Sequence, residues 1–284
     1  RILFAIPELA SGGPDRVFYE LICGLDRTAF QPLLVVTEPG GRYFDALPAD
    51  VETFAIGGGR YPFWRFARQV DKLRPDLIVT TLRMNTTVAV ARLFQCHRPP
   101  LISRQANAIA ANFSELRKKS RLKYGFAEWL MKRLLRVPHV LVAQSSDMGD
   151  ELAQHAAASQ KIAVIGNPVC LDDVAQGCAS QQAKSESARF GSPALIAVGR
   201  LSPQKGFDLL LQGFSRFREE YPLAGLTVLG EGPDRSTLEA EARRLGIVEA
   251  VRFPGHSDCV LAEVAAADLF VSSSRYEGFS NAIL

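Results

Sequence analysis

Two cations stand five residues apart in Gly199-Arg200-Leu201-Ser202-Pro203-Gln204-Lys205-Gly206. The segment follows an apolar run and precedes a helical-period stretch. A guanidinium grips two oxygens at once and an ammonium supplies a point charge. At the carboxyl end of a strand, beside a helix N-terminus, Arg200 and Lys205 make a sensible clamp for a diphosphate. The plainer reading is an exposed basic loop. Three more loops share this kind of position: Gly230-Glu231-Gly232-Pro233, Phe253-Pro254-Gly255-His256, and Ser272 to Asn281, which leaves the last strand and is expected to begin another helix. Four loops at four strand ends could line one pocket. Near the start, Ser11-Gly12-Gly13-Pro14 turns the first apolar run into a helix expected from Asp15. Two glycines admit a ligand close to the backbone, the helix N–H groups suit an anion, and proline fits a first turn. Neither GxGxxG nor GxxxxGK[ST] occurs, so the usual dinucleotide and P-loop fingerprints are not supported.

The elements that must hold these loops alternate along the chain. Leu33–Thr37, Leu77–Thr80, Leu101–Ser103 and Val140–Ala143 read as strands, and Pro62–Leu73 as a helix with Phe63, Phe66, Ala67, Val70 and Leu73 on one stripe. Ala194–Val198, Leu226–Leu229, Val251–Phe253 and Asp268–Ser272 read as strands of a second half. Between them lie a helix carrying Phe207, Leu210, Leu211, Phe214 and Phe217, a helix opened by a Ser236-to-Glu239 capping box and ending at Gly246, and an Ala-rich helix over Val260–Ala267. Such alternation predicts parallel sheets with helices on both faces. Residues 1–170 form the expected first domain, 171–192 a Gln/Ser/Ala/Gly-rich linker, and 193–284 the second. Two doubly wound domains facing a cleft place ligands at strand carboxyl ends.

Composition narrows the classes. Of 284 residues, 47% are hydrophobic and 22% charged, which excludes disordered and fibrous chains. No apolar run reaches the roughly 18 residues of a membrane helix. Five scattered cysteines without a CxxC pair argue against a disulfide framework or zinc site and for a reducing compartment. The formal charge of +3 is uneven: residues 1–169 hold 22 basic and 15 acidic groups, and the remainder 11 and 15. The excess is one patch, Arg117–Arg136, with eight Lys/Arg against Glu128 and with Phe126, Trp129, Leu130, Leu134 and Leu135 interleaved. It reads either as a solvated helix face or as a surface for anionic lipid headgroups. No nucleic-acid recognition pattern accompanies it.

In order and spacing, Gly12-Gly13-Pro14-Asp15-Arg16-Val17, GRLSPQKGFDLLL, LGEGP, FPGHSD and SSRYEGFSNAIL resemble the retaining glycosyltransferases of family 4, across the whole chain. The resemblance implies the GT-B fold and transfer of a sugar from a nucleotide donor, a UDP-hexose or UDP-N-acetylhexosamine, without a metal ion or other cofactor. By the same resemblance Arg200 and Lys205 hold the donor diphosphate, and Glu277, the first glutamate of an E-x7-E motif, orients the sugar hydroxyls. Gly12 and Gly13 face the phosphates, Gly230 lies on the donor side, Pro254, Gly255 and His256 cradle the base, and Gly278, Phe279, Ser280 and Asn281 supply amides to sugar and phosphate. A front-face mechanism, in which the departing phosphate takes the acceptor's proton, requires no dedicated general base.

Three departures qualify this expectation. The second glutamate falls beyond Leu284, as does the closing helix, so the chain reads as a fragment. The amino-domain histidine often found in the family is replaced by polar loops offering Arg83, Asn85, Arg104 and Asn107 as acceptor or sugar contacts. Ordinary loop polarity is the competing reading of those four. His97 and His139 read as structural, and His155 lies on a polar helix face and needs no role. The expected product is a cell-envelope glycan or lipid-linked oligosaccharide, made in the cytoplasm with peripheral contact to an anionic membrane through Arg117–Arg136. A degenerate sugar-nucleotide-binding scaffold and an epimerase of the same architecture are the alternatives. Intact Arg200, Lys205 and Glu277 argue against the first, and the lack of a convincing acid–base set against the second.

Overall fold

The structure, a computed structural model, describes all residues but 11, 60, 107–120, 157–160, 170–189, 258–259, 278, 281 and 284. Residues 117–120 of the Arg117–Arg136 patch and most of the expected linker lie outside the described residues, as do Asn107, Gly278 and Asn281. The chain divides into two units, Arg1–Val169 with Gly278–Asn281, and Cys170–Glu277 with Ala282–Leu284.

The first unit runs β1 (Ile2–Ile6), α1 (Gly13–Cys23), β2 (Pro32–Val36), α2 (Arg42–Asp45), β3 (Glu52–Ala55), α3 (Phe63–Leu73), β4 (Leu77–Thr81), α4 (Met84–Ala91), β5 (Leu101–Arg104), α5 (Arg121–Leu134), β6 (Val140–Ala143), α6 (Ser146–His155) and β7 (Lys161–Val164). Its seven strands lie in the order β3-β2-β1-β4-β5-β6-β7, with every pair parallel. β1 and β2 are buried at every residue, which is why they read as unbroken apolar runs: helices cover both faces. Alternation sends Leu3, Ala5, Leu33 and Val35 against Phe66 and Val70 of α3, and Phe4, Ile6, Leu34 and Val36 against Phe18 and Ile22 of α1. The strand order reverses direction between β1 and β4, so the loops after these two strands diverge and leave a crevice of the kind ligands use.

The second unit runs β8 (Ala194–Val198), a 3-10 turn (Pro203–Lys205), α7 (Phe207–Glu220), β9 (Gly225–Leu229), α8 (Arg235–Arg244), β10 (Val251–Gly255), α9 (Val260–Ala266) and β11 (Leu269–Phe270). The strands are parallel, in the order β10-β9-β8-β11. Phe207, Leu211 and Phe214 of α7 pack on Leu195, Ala197, Leu226 and Val228. Burial of a side chain such as Phe214 contributes about 1.5–3 kcal/mol.

Four sequence expectations are corrected here. α1 starts at Gly13 with Gly12 as its N-cap, because the Asp15 carboxylate accepts the Gly12 N–H at 2.9 Å. Ser236 opens no capping box. α8 begins at Arg235 after Asp234, whose N–H is tied to the Leu201 carbonyl at 3.1 Å, and Glu239 accepts from Arg235 Nε at 3.0 Å instead. The last strand shrinks to Leu269–Phe270, an edge strand paired only with β8. The residues described beyond it form turns and extended backbone, and no helix begins among them. Two strands have no apolar signal: β3 and β7 are edge strands with mostly exposed or half-buried residues.

Candidate functional site

The carboxyl ends of β8, β9 and β10 are held together by backbone contacts that only glycine permits. Gly230, at φ +132°, donates its N–H to the Gly255 carbonyl at 2.8 Å, and a Cβ there would lie 2.1 Å from the Gly199 carbonyl oxygen. A Cβ at Gly255 would meet the Glu231 carboxylate at 2.4 Å. Leu201 N–H donates to the Glu231 carbonyl at 2.9 Å, closing the first of these loops on the second. Pro254 and His256 are exposed on either side of buried Gly255.

The loop after β11 laces onto the loop after β8. Ser273 Oγ donates to the Lys205 carbonyl at 2.9 Å, Arg275 N–H to the Gln204 carbonyl at 2.8 Å, and Gln204 Nε2 to the Tyr276 carbonyl at 3.1 Å. Arg275 clamps Asp208 with both guanidinium nitrogens, at 2.7 and 2.6 Å, and this bond holds the Asp208 carboxyl below its ordinary range. The lacing brings Lys205 and Glu277 together across 72 residues of sequence: Nζ lies 2.5 Å from Oε1, and Ser274 Oγ donates to the same oxygen at 2.6 Å. Both side chains are largely covered, at 18% and 24% exposure. Arg200 is exposed, and its guanidinium has no partner among the described residues. A cation free to meet an anion, a second cation and a carboxylate therefore share one rim of this unit. Ser273, Gln204 and Arg275 carried no sequence signal as positioning residues, since their partners are remote, whereas Ser274 acts on Glu277 three residues further on.

In the first unit, Gly12 and Gly13 are exposed at the start of α1, on the loop leaving β1. Arg83 follows β4: Nη2 donates to Thr37 Oγ1 at 3.0 Å and lies 3.6 Å from Glu38, while Nε is buried without a hydrogen-bond partner among the described residues. Asn85 Nδ2 and Thr81 Oγ1 both donate to the Arg104 carbonyl, at 3.0 and 3.2 Å. Arg104, at the end of β5, is only 5% exposed; Nη2 donates to Asn167 Oδ1, and Nη1 is buried without a partner among the described residues. Desolvation lowers its pKa to about 10. Phe279 and Ser280 group with this unit, where Asn167 Nδ2 donates to the Phe279 carbonyl at 3.4 Å. His97 Nε2–H donates to the Pro75 carbonyl at 2.7 Å, and His139 Nδ1 accepts the Leu101 N–H at 3.1 Å. Both are structural contacts. Among the described residues no group of three His, Cys, Asp or Glu is placed to hold a metal ion, and no helix is long and apolar enough to cross a membrane.

These paired parallel sheets are those of GT-B glycosyltransferases. Anabaena HepE, solved in complex with UDP and glucose, matches 99% of this chain and 76% of its own at 19% identity and a TM-score of 0.74. WaaG, a glycosyltransferase involved in lipopolysaccharide biosynthesis, matches 100% and 77% at 16% identity and a TM-score of 0.74. Residues 12–168 match the glycosyl transferase 4-like domain and residues 180–284 the glycosyl transferases group 1 family, so the chain belongs to the glycosyltransferase 4-like family. Mannosylfructose-phosphate synthase of Agrobacterium fabrum is 39% identical over 111 residues, 36% of this chain and 24% of its own. Glycogen synthase of Mycobacterium tuberculosis is 31% identical over 163 residues, 56% and 37% respectively. The matched parts thus span well under half the length of either relative.

Proposed function

We propose that this protein is a metal-independent retaining glycosyltransferase that moves a hexose or N-acetylhexosamine from a UDP-sugar to a glycan or lipid-linked acceptor of the cell envelope, working at the cytoplasmic side. The observation that carries this reading is the Lys205–Glu277 contact beside the exposed Arg200. UDP in HepE and the role of WaaG in lipopolysaccharide biosynthesis support it. In the proposed reaction the bond between the anomeric carbon and the diphosphate oxygen breaks, and the acceptor oxygen bonds the same face of that carbon. The acceptor proton passes to the departing phosphate. Arg200 and Lys205 neutralise the charge that builds there, and Glu277 holds sugar hydroxyls. The amides of Gly12, Gly13, Gly278, Phe279, Ser280 and Asn281 complete the donor cradle, with Gly230, Pro254, Gly255 and His256 toward the base. Arg83, Asn85, Arg104 and Asn107 contact acceptor or sugar. Fixed donors aimed at developing charge are worth about 3–4 kcal/mol each.

Thermal stabilisation by UDP-, GDP- and ADP-sugars, measured in EDTA, tests the donor class, since a ligand of the native state raises its melting temperature. Stabilisation by one UDP-sugar and by UDP is the expected result. No response to any nucleotide sugar would return the scaffold reading. Lys205→Ala should lower kcat by about 100-fold or more with little change in melting temperature. Near-normal turnover in that variant would overturn the diphosphate assignment.

A further inference from the structure

The described surface of the first unit carries an aromatic tip that neither the fold nor the sugar-transfer chemistry uses. Trp64 lies 3.9 Å from Phe94 by ring centroids, and Phe63 stacks on Phe94 at 5.8 Å and meets Trp64 at a tilt, at 6.1 Å. Trp64 is 54% exposed, Phe94 39% and neighbouring Leu93 73%. Single exposed apolar side chains are ordinary, but contiguous ones that stay in water mark a contact surface. The exposed charge beside it is basic. Trp64, Arg68 and Lys72 stand at i, i+4 and i+8 on α3, so one helix face presents them, and Arg65, Arg68, Lys72 and Arg98 are all exposed. The acidic residue of that helix, Asp71, is already engaged: its carboxylate accepts the N–H groups of Cys96 and His97 at 2.8–3.2 Å.

We propose that the Trp64–Phe94 tip with its Arg65, Arg68 and Lys72 rim is a docking surface for an anionic lipid bilayer. Tryptophan and phenylalanine settle at the headgroup boundary, and arginine and lysine beside them reach the lipid phosphates. Each cation near such a surface adds to the attraction, which two weak signals together make stable. A second copy of the chain fits less well, because a self-complementary contact would press like charges together. The surface is built from residues other than Arg117–Arg136 and does not depend on the sugar-transfer reading.

The test uses the full 284-residue chain and vesicles of phosphatidylcholine with or without phosphatidylglycerol. The protein is expected to sediment with the phosphatidylglycerol vesicles and not with phosphatidylcholine alone. The Trp64→Ser/Phe94→Ser and Arg68→Glu/Lys72→Glu variants should each partition about tenfold more weakly or worse. All four substituted side chains are exposed or half-exposed, so the folded state is expected to persist. A second measurement is independent of those variants: in a Trp129→Phe background Trp64 is the only tryptophan, and its emission should shift to the blue when the vesicles are added. Absence of sedimentation, equal sedimentation of the double variants, or an unmoved Trp64 emission would overturn the proposal. So would a concentration-dependent dimer that the Trp64→Ser/Phe94→Ser change abolishes.

Discussion

Gly206 and Gly246 have nearly the same backbone conformation, φ +64° and +70°, and very different surroundings. A Cβ at Gly206 would stand 2.2 Å from the Ser273 carbonyl oxygen, whereas one at Gly246 has nothing within 4 Å. Alanine at either position bears the left-handed penalty of about 1–2 kcal/mol. At Gly206 alone, the loop after β8 must also move away from the loop after β11 by close to an ångström, and overpacking of that kind costs about 1–3 kcal/mol more. Gly206→Ala should therefore be less stable than Gly246→Ala by about 1–3 kcal/mol, or roughly 2–10 °C in melting temperature. The displaced contact is the one that sets Lys205 against Glu277, so UDP-dependent stabilisation should fall in Gly206→Ala and survive in Gly246→Ala. Urea unfolding and a UDP titration of both variants read the two effects. Equal destabilisation, with equal response to UDP, would refute the claim that close approach of these loops builds the Lys205–Glu277 rim.

Replacing Arg104 by Met should stabilise the protein. Holding that guanidinium at a pKa of about 10 corresponds to roughly 3 kcal/mol of disfavoured charge, against about 1 kcal/mol for the donor that Asn167 loses. A rise of a few degrees in melting temperature is the expected result, and a fall would show the buried charge to be compensated. Because burial lowers this pKa in the folded state, the unfolded chain holds the proton longer. Wild-type stability then gains from Arg104 as pH climbs from about 10 toward the ordinary guanidinium range, and the Met variant lacks that slope in pH-resolved urea unfolding. Asp15→Ala removes the carboxylate that accepts the Gly12 N–H and should cost about 1 kcal/mol by the same assay. Phe214→Ala, at a side chain 2% exposed in the core of the second unit, should cost about 3–5 kcal/mol in calorimetry.

Most elements were legible because their cause is local. The stripe of Phe207, Leu210, Leu211 and Phe214 marks α7, and unbroken apolar runs mark β1, β2 and β8, since strands buried on both faces have no polar side to show. β3 and β7 carry no such mark for the converse reason: edge strands are held by backbone bonds on one side, and Glu52–Ala55 and Lys161–Val164 need no apolar pattern to make them. The Ser236 pattern misled because a local motif lost to a non-local one. Arg235 is drawn to Glu231, Glu239 and the Phe253 carbonyl, and α8 starts where that network puts it.

The sequence by itself determined the alternation, the parallel sheets, the glycine-rich strand ends and the family to which the chain belongs. All of these are written in residue types at short spacing. Tertiary structure alone decided which groups meet. The 72 residues between Lys205 and Glu277 are spanned by β11 docking beside β8, which no spacing rule encodes. The burial of Arg104 and the contact of Trp64 with Phe94 likewise depend on elements brought together from distant parts of the chain. Side-chain period follows from the geometry of one helix or strand, whereas pairing and desolvation follow from what the rest of the fold lays against it.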